Sequence, residues 1–122
     1  MSQLPNLDPA ALQRLQRLGD NAFVCKMIDL FQEYSGQKVA EARAAQVAGN
    51  LTGVEKAVHP IKSSAGNVGA RRIQELARQI EELARQGHVE TLAASLTELE
   101  QAFALVKPEL EEKRRQFAPK SL

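Results

Sequence analysis

Residues 57–70 read AVHPIKSSAGNVGA, and the fold turns on whether this stretch is helix or loop. One of the chain's two histidines, His59, stands directly before Pro60. A proline inside a helix forfeits a backbone hydrogen bond and crowds the preceding turn, at a cost of about 3 kcal/mol. The residue before it is pushed toward extended angles. One reading is therefore a break at Pro60 that leaves His59 outside the helix; the other is a single helix with a local kink. The apolar positions favour the second. Leu51, Val54, Val58, Ile61, Ala65 and Val68 recur at steps of three and four and keep their phase across Pro60, as an amphipathic helix requires. A helix over about 51–66, kinked at Pro60, with a turn at 67–69, is the expectation.

The same spacing organises the rest of the chain. Asp8 can cap a first short helix with Pro9 at its first position; Leu12, Leu15 and Leu18 form its apolar edge and Gly19 stops it. A long second helix runs from near Asp20 to about Ala48. Its first half carries Phe23, Val24, Met27, Ile28, Leu30, Phe31 and Tyr34, enough to cover more than one face, and is expected to be sandwiched; its Ala-rich second half is expected to be wetter. Gly49-Asn50 ends it. A fourth helix covers about 70–86 with Ile73, Leu76, Ile80 and Leu83 on its seam, and Gly87 is a natural stop. A fifth starts near His88 and continues through Leu92, Leu96, Leu99, Phe103, Val106 and Leu110, with a kink expected at Pro108. No stretch alternates apolar and polar residues as a half-buried strand does. The reading is all-α, an antiparallel four-helix bundle with a short additional N-terminal helix capping one end. It forms a single domain over 1–122, with its core at about 7–110 and a frayed tail at about 117–122.

Bulk properties narrow the class. The 122 residues carry 16 Lys and Arg against 15 Asp and Glu, a formal net charge of +1. That balance gives no reason to expect nucleic acid or an anionic membrane as partner. The run Lys113-Arg114-Arg115 follows Glu109, Glu111 and Glu112 and reads as a solvated helix end. The lone Cys25 cannot form an internal disulfide and fits a reducing compartment. No secretion signal or bilayer-spanning run is visible, so the expected location is cytoplasmic.

On a helix advancing about 100° per residue, His59 lies about 130° from the centre of the Leu51–Val68 stripe, facing solvent. Lys62 and Ser63 are about one turn on, the offsets at which side chains meet. Glu55, Lys56 and Gly66 lie beside it or at the edge of that face. An unperturbed imidazole titrates near pH 6.5, so its neutral nucleophilic form is well populated at neutral pH. Lys62 offers positive charge to an anion on the ring, and the small residues from Ser63 to Gly66 keep the surface low. An exposed histidine near a lysine is by itself usually just surface; the whole string is more specific.

The string resembles the phosphoacceptor motif of histidine-containing phosphotransfer (HPt) domains. That motif runs His, any residue, Leu, Lys, Gly, Ser, a small residue, two variable positions, an aliphatic residue, Gly and often Ala. His59, Lys62, Ser64, Ala65, Gly69 and Ala70 match it, with Ile61 and Val68 as aliphatic equivalents. Ser63 departs from the commonest Gly, and Pro60 occupies a variable position. The family fold, a four-helix bundle preceded by a short helix, accommodates the chain from about Leu7 to Leu110. A Gln or Glu on the following helix often lies beside the family's histidine, and Glu81 falls at that position.

What the resemblance implies is a phosphorelay. His59 would accept a phosphoryl group from a receiver-domain phosphoaspartate and pass it to the aspartate of another receiver. The expected partners are the receivers of a hybrid histidine kinase and of a response regulator. Lys62 would aid electrostatically, Glu81 and Ser63 would support, and Lys56 and Gly66 would face the docking partner. No intrinsic cofactor is expected, and Mg²⁺ would sit on the receiver. The chain carries no G-x-x-x-x-G-K-[ST] or G-x-G-x-x-G stretch, so a carrier without kinase activity, acting as a monomer, is expected. The competing class is a non-catalytic helical adaptor for receiver or kinase domains. A dimetal bundle enzyme would need Glu-x-x-His on two helices, which this sequence lacks. His88 reads as an ordinary boundary residue.

Overall fold

A computed structural model describes residues 6–118. Five helices make up the fold, with no strand among the described residues. They are α1 (Pro9–Leu18), a long α2 over residues 21–47, α3 (Leu51–Val68), α4 (Arg71–Gln86) and α5 (Val89–Phe117). Within α2, α-helical Asn21–Leu30 and Gly36–Val47 flank a π-helical turn at Phe31–Ser35.

Local chemistry sets the boundaries. Asp8 accepts a hydrogen bond from the Ala10 N–H and Pro9 opens α1. Asp20 accepts from the Phe23 N–H to start α2, and Asn50 accepts from the Gly53 N–H to start α3. Each such cap is worth about 1 kcal/mol. The end of α3 is at Val68 rather than Gly66 because Gly69 adopts φ +79°, which closes the helix by letting the Ala70 N–H reach the Ala65 carbonyl. A Cβ on Gly69 would lie 2.5 Å from the Asp8 carbonyl oxygen and 2.8 Å from Ala11 Cβ. The glycine is therefore also where α1 docks, sealed by the Asp8 N–H donating to the Gly69 carbonyl at 2.8 Å.

Each long helix packs on its chain neighbour, and α5 closes the ring by packing back on α2. Leu12, Ile28, Ile61, Ile73, Ile80, Leu92, Leu96, Leu99 and Leu110 are fully buried in one core. Burial of side chains of this size stabilises by about 1.5–3 kcal/mol each.

Two local readings of the sequence are corrected. The first half of α2 packs on α1, α3 and α5, but its apolar cover is incomplete: Leu30 is 49% and Tyr34 43% exposed, while Val24, Cys25, Ile28 and Phe31 face the core. The π turn carries Phe31, whose ring lies 5.6 Å from that of Phe103 between centroids. It also buries Ser35, whose hydroxyl has no protein partner. As the apolar phase predicts, α3 is helical throughout Leu51–Val68 with no break at Pro60. Finally, Arg114 is not simply solvated: it clasps Asp29 with bonds of 2.7 and 2.9 Å and ties the last turns of α5 to α2. Phe117 at the end of α5 is partly buried against the core. Of the expected frayed tail, residues 119–122 lie outside the described residues.

Candidate phosphoacceptor site

His59 projects from the middle of α3, between Val58, which is fully buried, and Pro60. The stripe that includes Val54, Val58, Ile61 and Ala65 faces the core, so the residue after Val58 must point outward; the His59 side chain is 64% exposed. Pro60 lies inside the helix, and without an N–H it leaves the Lys56 carbonyl free of its helical partner.

Facing this ring is Glu81 of α4, at the boundary of a strongly amphipathic helix whose Ala77, Ile80 and Ala84 are buried around it. The Glu81 side chain is only 4% exposed, yet it is well satisfied. Its Oε2 makes a short contact with His59 Nδ1, and its Oε1 accepts from Lys62 Nζ at 2.5 Å. One buried carboxylate thus holds two α3 side chains a helical turn apart. Burial alone would push the Glu81 carboxyl up, but the hydrogen bonds and charges of Lys62 and His59 outweigh it and hold the group below its usual range. An ionised Glu81 can only accept. A neutral His59 ring that donates Nδ1–H to it therefore turns the Nε2 lone pair away from α4.

Around this pair, Arg85 lies one turn beyond Glu81. Its Nη2 is 3.5 Å from Glu81 Oε2 and its Nε donates to Glu55 Oε1 of α3 at 3.0 Å. On the other side, Gln74 of α4 donates to the Lys62 carbonyl at 3.2 Å. Its amide fills the place a Cβ on Gly66 would take, 2.6 Å away, so the bare Gly66 Cα first serves close approach of α4. Ser63 and Lys56 are exposed on the same face as His59. Lys62 and Ser63 border an open groove of about 500 Å³ that Arg71, Gln74, Glu75 and Arg78 complete. No group of three or more His, Cys, Asp or Glu placed to hold a metal ion occurs among the described residues, and His88 stands at the start of α5, exposed.

An exposed imidazole with one nitrogen anchored and the other open is a nucleophile fit for carrying a group between larger molecules. Comparison with known proteins agrees. The family model described as the Hpt domain matches residues 26–109. The chain belongs to the Hpt domain family. Among solved structures it is similar to the histidine-containing phosphotransfer protein HptB of Pseudomonas aeruginosa PAO1. That match has a TM-score of 0.87 and 25% identity, covering 95% of this chain and 100% of that one. It is also similar in fold to a rice protein provisionally assigned as a histidine-containing phosphotransfer protein. There the TM-score is 0.79 and the identity 20%, over 92% of this chain and 84% of that one. No curated protein sequence gives a significant match.

Sequence reasoning placed His59, Lys62 and Glu81 in one site and left out Arg85. The signal was present, because Arg85 follows Glu81 by four residues and so shares its helix face. The same spacing places Glu55 four residues before His59; the sequence reading put it on the outward face, without a partner.

Proposed function

We propose that this Hpt domain is a phosphorelay intermediate between two receiver domains. His59 Nε2 attacks the phosphorus of a receiver phosphoaspartate. The N–P bond forms as the acyl O–P bond breaks, and the electron pair leaves on the aspartate carboxylate. Positive charge that develops on the ring is met by Glu81 at Nδ1–H. The second transfer runs the same exchange in reverse onto another receiver's aspartate. Phosphoryl transfer is largely positioning and charge neutralisation. Lys62 supplies cationic charge from this side, and the receiver's acidic pocket and Mg²⁺ supply the rest. Ser63 beside the ring offers a hydroxyl to the phosphoryl oxygens, and Lys56 and Gly66 flank the face a receiver covers. The chain acts as a carrier without nucleotide chemistry of its own, as a monomer in the cytoplasm.

The observation that carries this reading is the contact of His59 Nδ1 with the buried Glu81 on an otherwise exposed ring. It presents Nε2 outward, which an adaptor with an unused histidine does not require. The test is incubation with a panel of phosphorylated receivers. Wild type should take up acid-labile phosphate and His59→Gln should not. Absence of label on wild type from every receiver would overturn the relay. Labelling of His59→Gln equal to wild type would move the acceptor elsewhere.

A further inference from the structure

The outward set of the His59 ring depends on where α3 lies along α4, and two side chains of α4 bear on that register. Glu81 takes the His59 ring and the Lys62 ammonium. Gln74 precedes Glu81 by seven residues, which puts it on the same helix face two turns away, about 10 Å along the axis. Its Nε2 donates to the Lys62 carbonyl at 3.2 Å. Lys62 is thus gripped twice, at its ammonium by Glu81 and at its backbone by Gln74. The backbone grip is the stricter one, because a carbonyl moves only when the helix moves, whereas a lysine side chain can follow a displaced partner. The amide is seated over Gly66: a Cβ there would lie 2.6 Å from Nε2 and 3.4 Å from Cδ. Pro60 makes such a grip matter. It stands between His59 and Lys62 inside α3, and it removes one bond from the helical ladder in the turn that carries the nucleophile.

We propose that Gln74, seated on Gly66, is a positioning residue that locks the register of α3 against α4 and so keeps Glu81 opposite His59 Nδ1. Its consequence for phosphoryl transfer rests on the relay reading above. Packed helices move by small sliding shears, and a shift of about 1 Å is enough to spoil a reacting geometry. With the register held, the neutral ring carries its proton on Nδ1 and its lone pair on Nε2, since the tautomer follows the hydrogen bond that the ring makes. Without an acceptor at Nδ1, neutral imidazole favours the opposite tautomer, and the outer nitrogen then bears a proton where the relay needs a lone pair. Gln74 acts on the ring only through the α3 backbone and Glu81.

Two variants break the lock from opposite sides. Gln74→Met keeps the length of the side chain and loses the donor. Gly66→Ala puts a methyl where the amide lies; the amide, at the end of a flexible chain, swings out and its bond to Lys62 is lost. Nitrogen NMR of the whole unphosphorylated chain reads the His59 tautomer, with His59→Gln separating its signals from those of His88. Neutral wild-type His59 should be protonated at Nδ1, and both variants, with helical content checked by circular dichroism, should shift toward Nε2–H. In uptake from a phosphorylated receiver, Gln74→Met should lower kcat by about two- to tenfold, the range one hydrogen bond commands, with KM unchanged to about twofold. A wild-type ring protonated at Nε2, or folded variants that keep the wild-type tautomer, would overturn the proposal. So would an unchanged kcat in Gln74→Met; a rise in KM alone makes Gln74 a docking contact. A wild type that takes up no label from any receiver fails the relay instead, and the tautomer of the variants still decides whether Gln74 sets the register.

Discussion

Replacing Glu81 separates what its shape does from what its charge does. In Glu81→Ala the buried carboxylate disappears, and with it the acceptor for His59 Nδ1 and the partner of Lys62. Charge-assisted hydrogen bonds contribute about 1.5–3 kcal/mol each. Their loss is partly offset here, because the exposed His59 and the Lys62 side chain, 28% exposed, can turn to water. Removal also relieves the desolvation that burial imposes on the carboxylate. The net loss of stability should be about 1–2 kcal/mol, a fall in Tm of about 3–8 °C for a domain of this size, read by thermal circular dichroism. Phosphoryl uptake should fall further than stability implies, by about tenfold, because a ring free to rotate no longer keeps Nε2 outward; a tenfold rate is 1.4 kcal/mol of barrier. Glu81→Gln keeps a carbonyl oxygen in place and should hold the ring, losing about threefold or less, equivalent to under about 0.7 kcal/mol. Initial rates of label transfer from a phosphorylated receiver, at protein concentrations well below saturation, measure both. If folded Glu81→Ala took up phosphate at the wild-type rate, orientation of the ring by Glu81 would be refuted. If Glu81→Gln fell as far as Glu81→Ala, the essential property would be the negative charge rather than the acceptor.

Three further outcomes are expected. Gly69→Ala should destabilise by about 2–4 kcal/mol in urea unfolding, since it adds left-handed strain of about 1–2 kcal/mol to a clash with the backbone of Asp8. Pro60→Ala returns an N–H to the Lys56 carbonyl and should raise the urea midpoint by an equivalent of about 1–2 kcal/mol. The full proline penalty is reduced there because the unfolded chain regains freedom; an unchanged midpoint would mean that α3 already compensates. Acid should weaken the fold through Glu81, Glu100 and Asp29, whose folded pKa values are all lowered. Such groups contribute stability that is fully present above the unfolded carboxylate range near pH 4 and is lost as pH falls through their depressed folded values. Glu81→Gln should flatten that part of the stability–pH curve.

How much of this was legible from sequence depends on the range of each interaction. The helices were readable because their apolar spacing is a local property, and at α3 the unbroken phase of Val54, Val58, Ile61 and Ala65 outweighed the signal of Pro60. The same phase placed His59 on the outer face. The pairing with Glu81 was reached through resemblance, since periodicity assigns a residue to a helix face but not to a partner on the next helix. The π turn at Phe31–Ser35 left no local mark, and the contact of Phe31 with Phe103 joins residues too far apart in the chain for helical spacing to reveal. Arg114 and Asp29 illustrate the same limit: a basic run reads as solvated until a distant carboxylate is placed beside it.

The site divides exposure and burial between His59 and Glu81. On the proposed relay the nucleophile, His59, is exposed and Glu81, which aligns it, is hidden, so the core fixes the geometry while the reacting atom remains accessible to a second protein. A buried carboxylate is tolerable only where its charge is answered, and here the answering groups are Lys62, His59 and, at longer range, Arg85. On the proposed relay these same groups face the incoming phosphoryl anion. Glu81 and the phosphoryl group then compete for one set of cations, and what each gains the other must release. A site of that kind holds the phosphoryl group without binding it so firmly that the next receiver cannot remove it. Lys62 and Arg85 differ in exposure, the first held close to the buried carboxylate and the second reaching toward it from the surface.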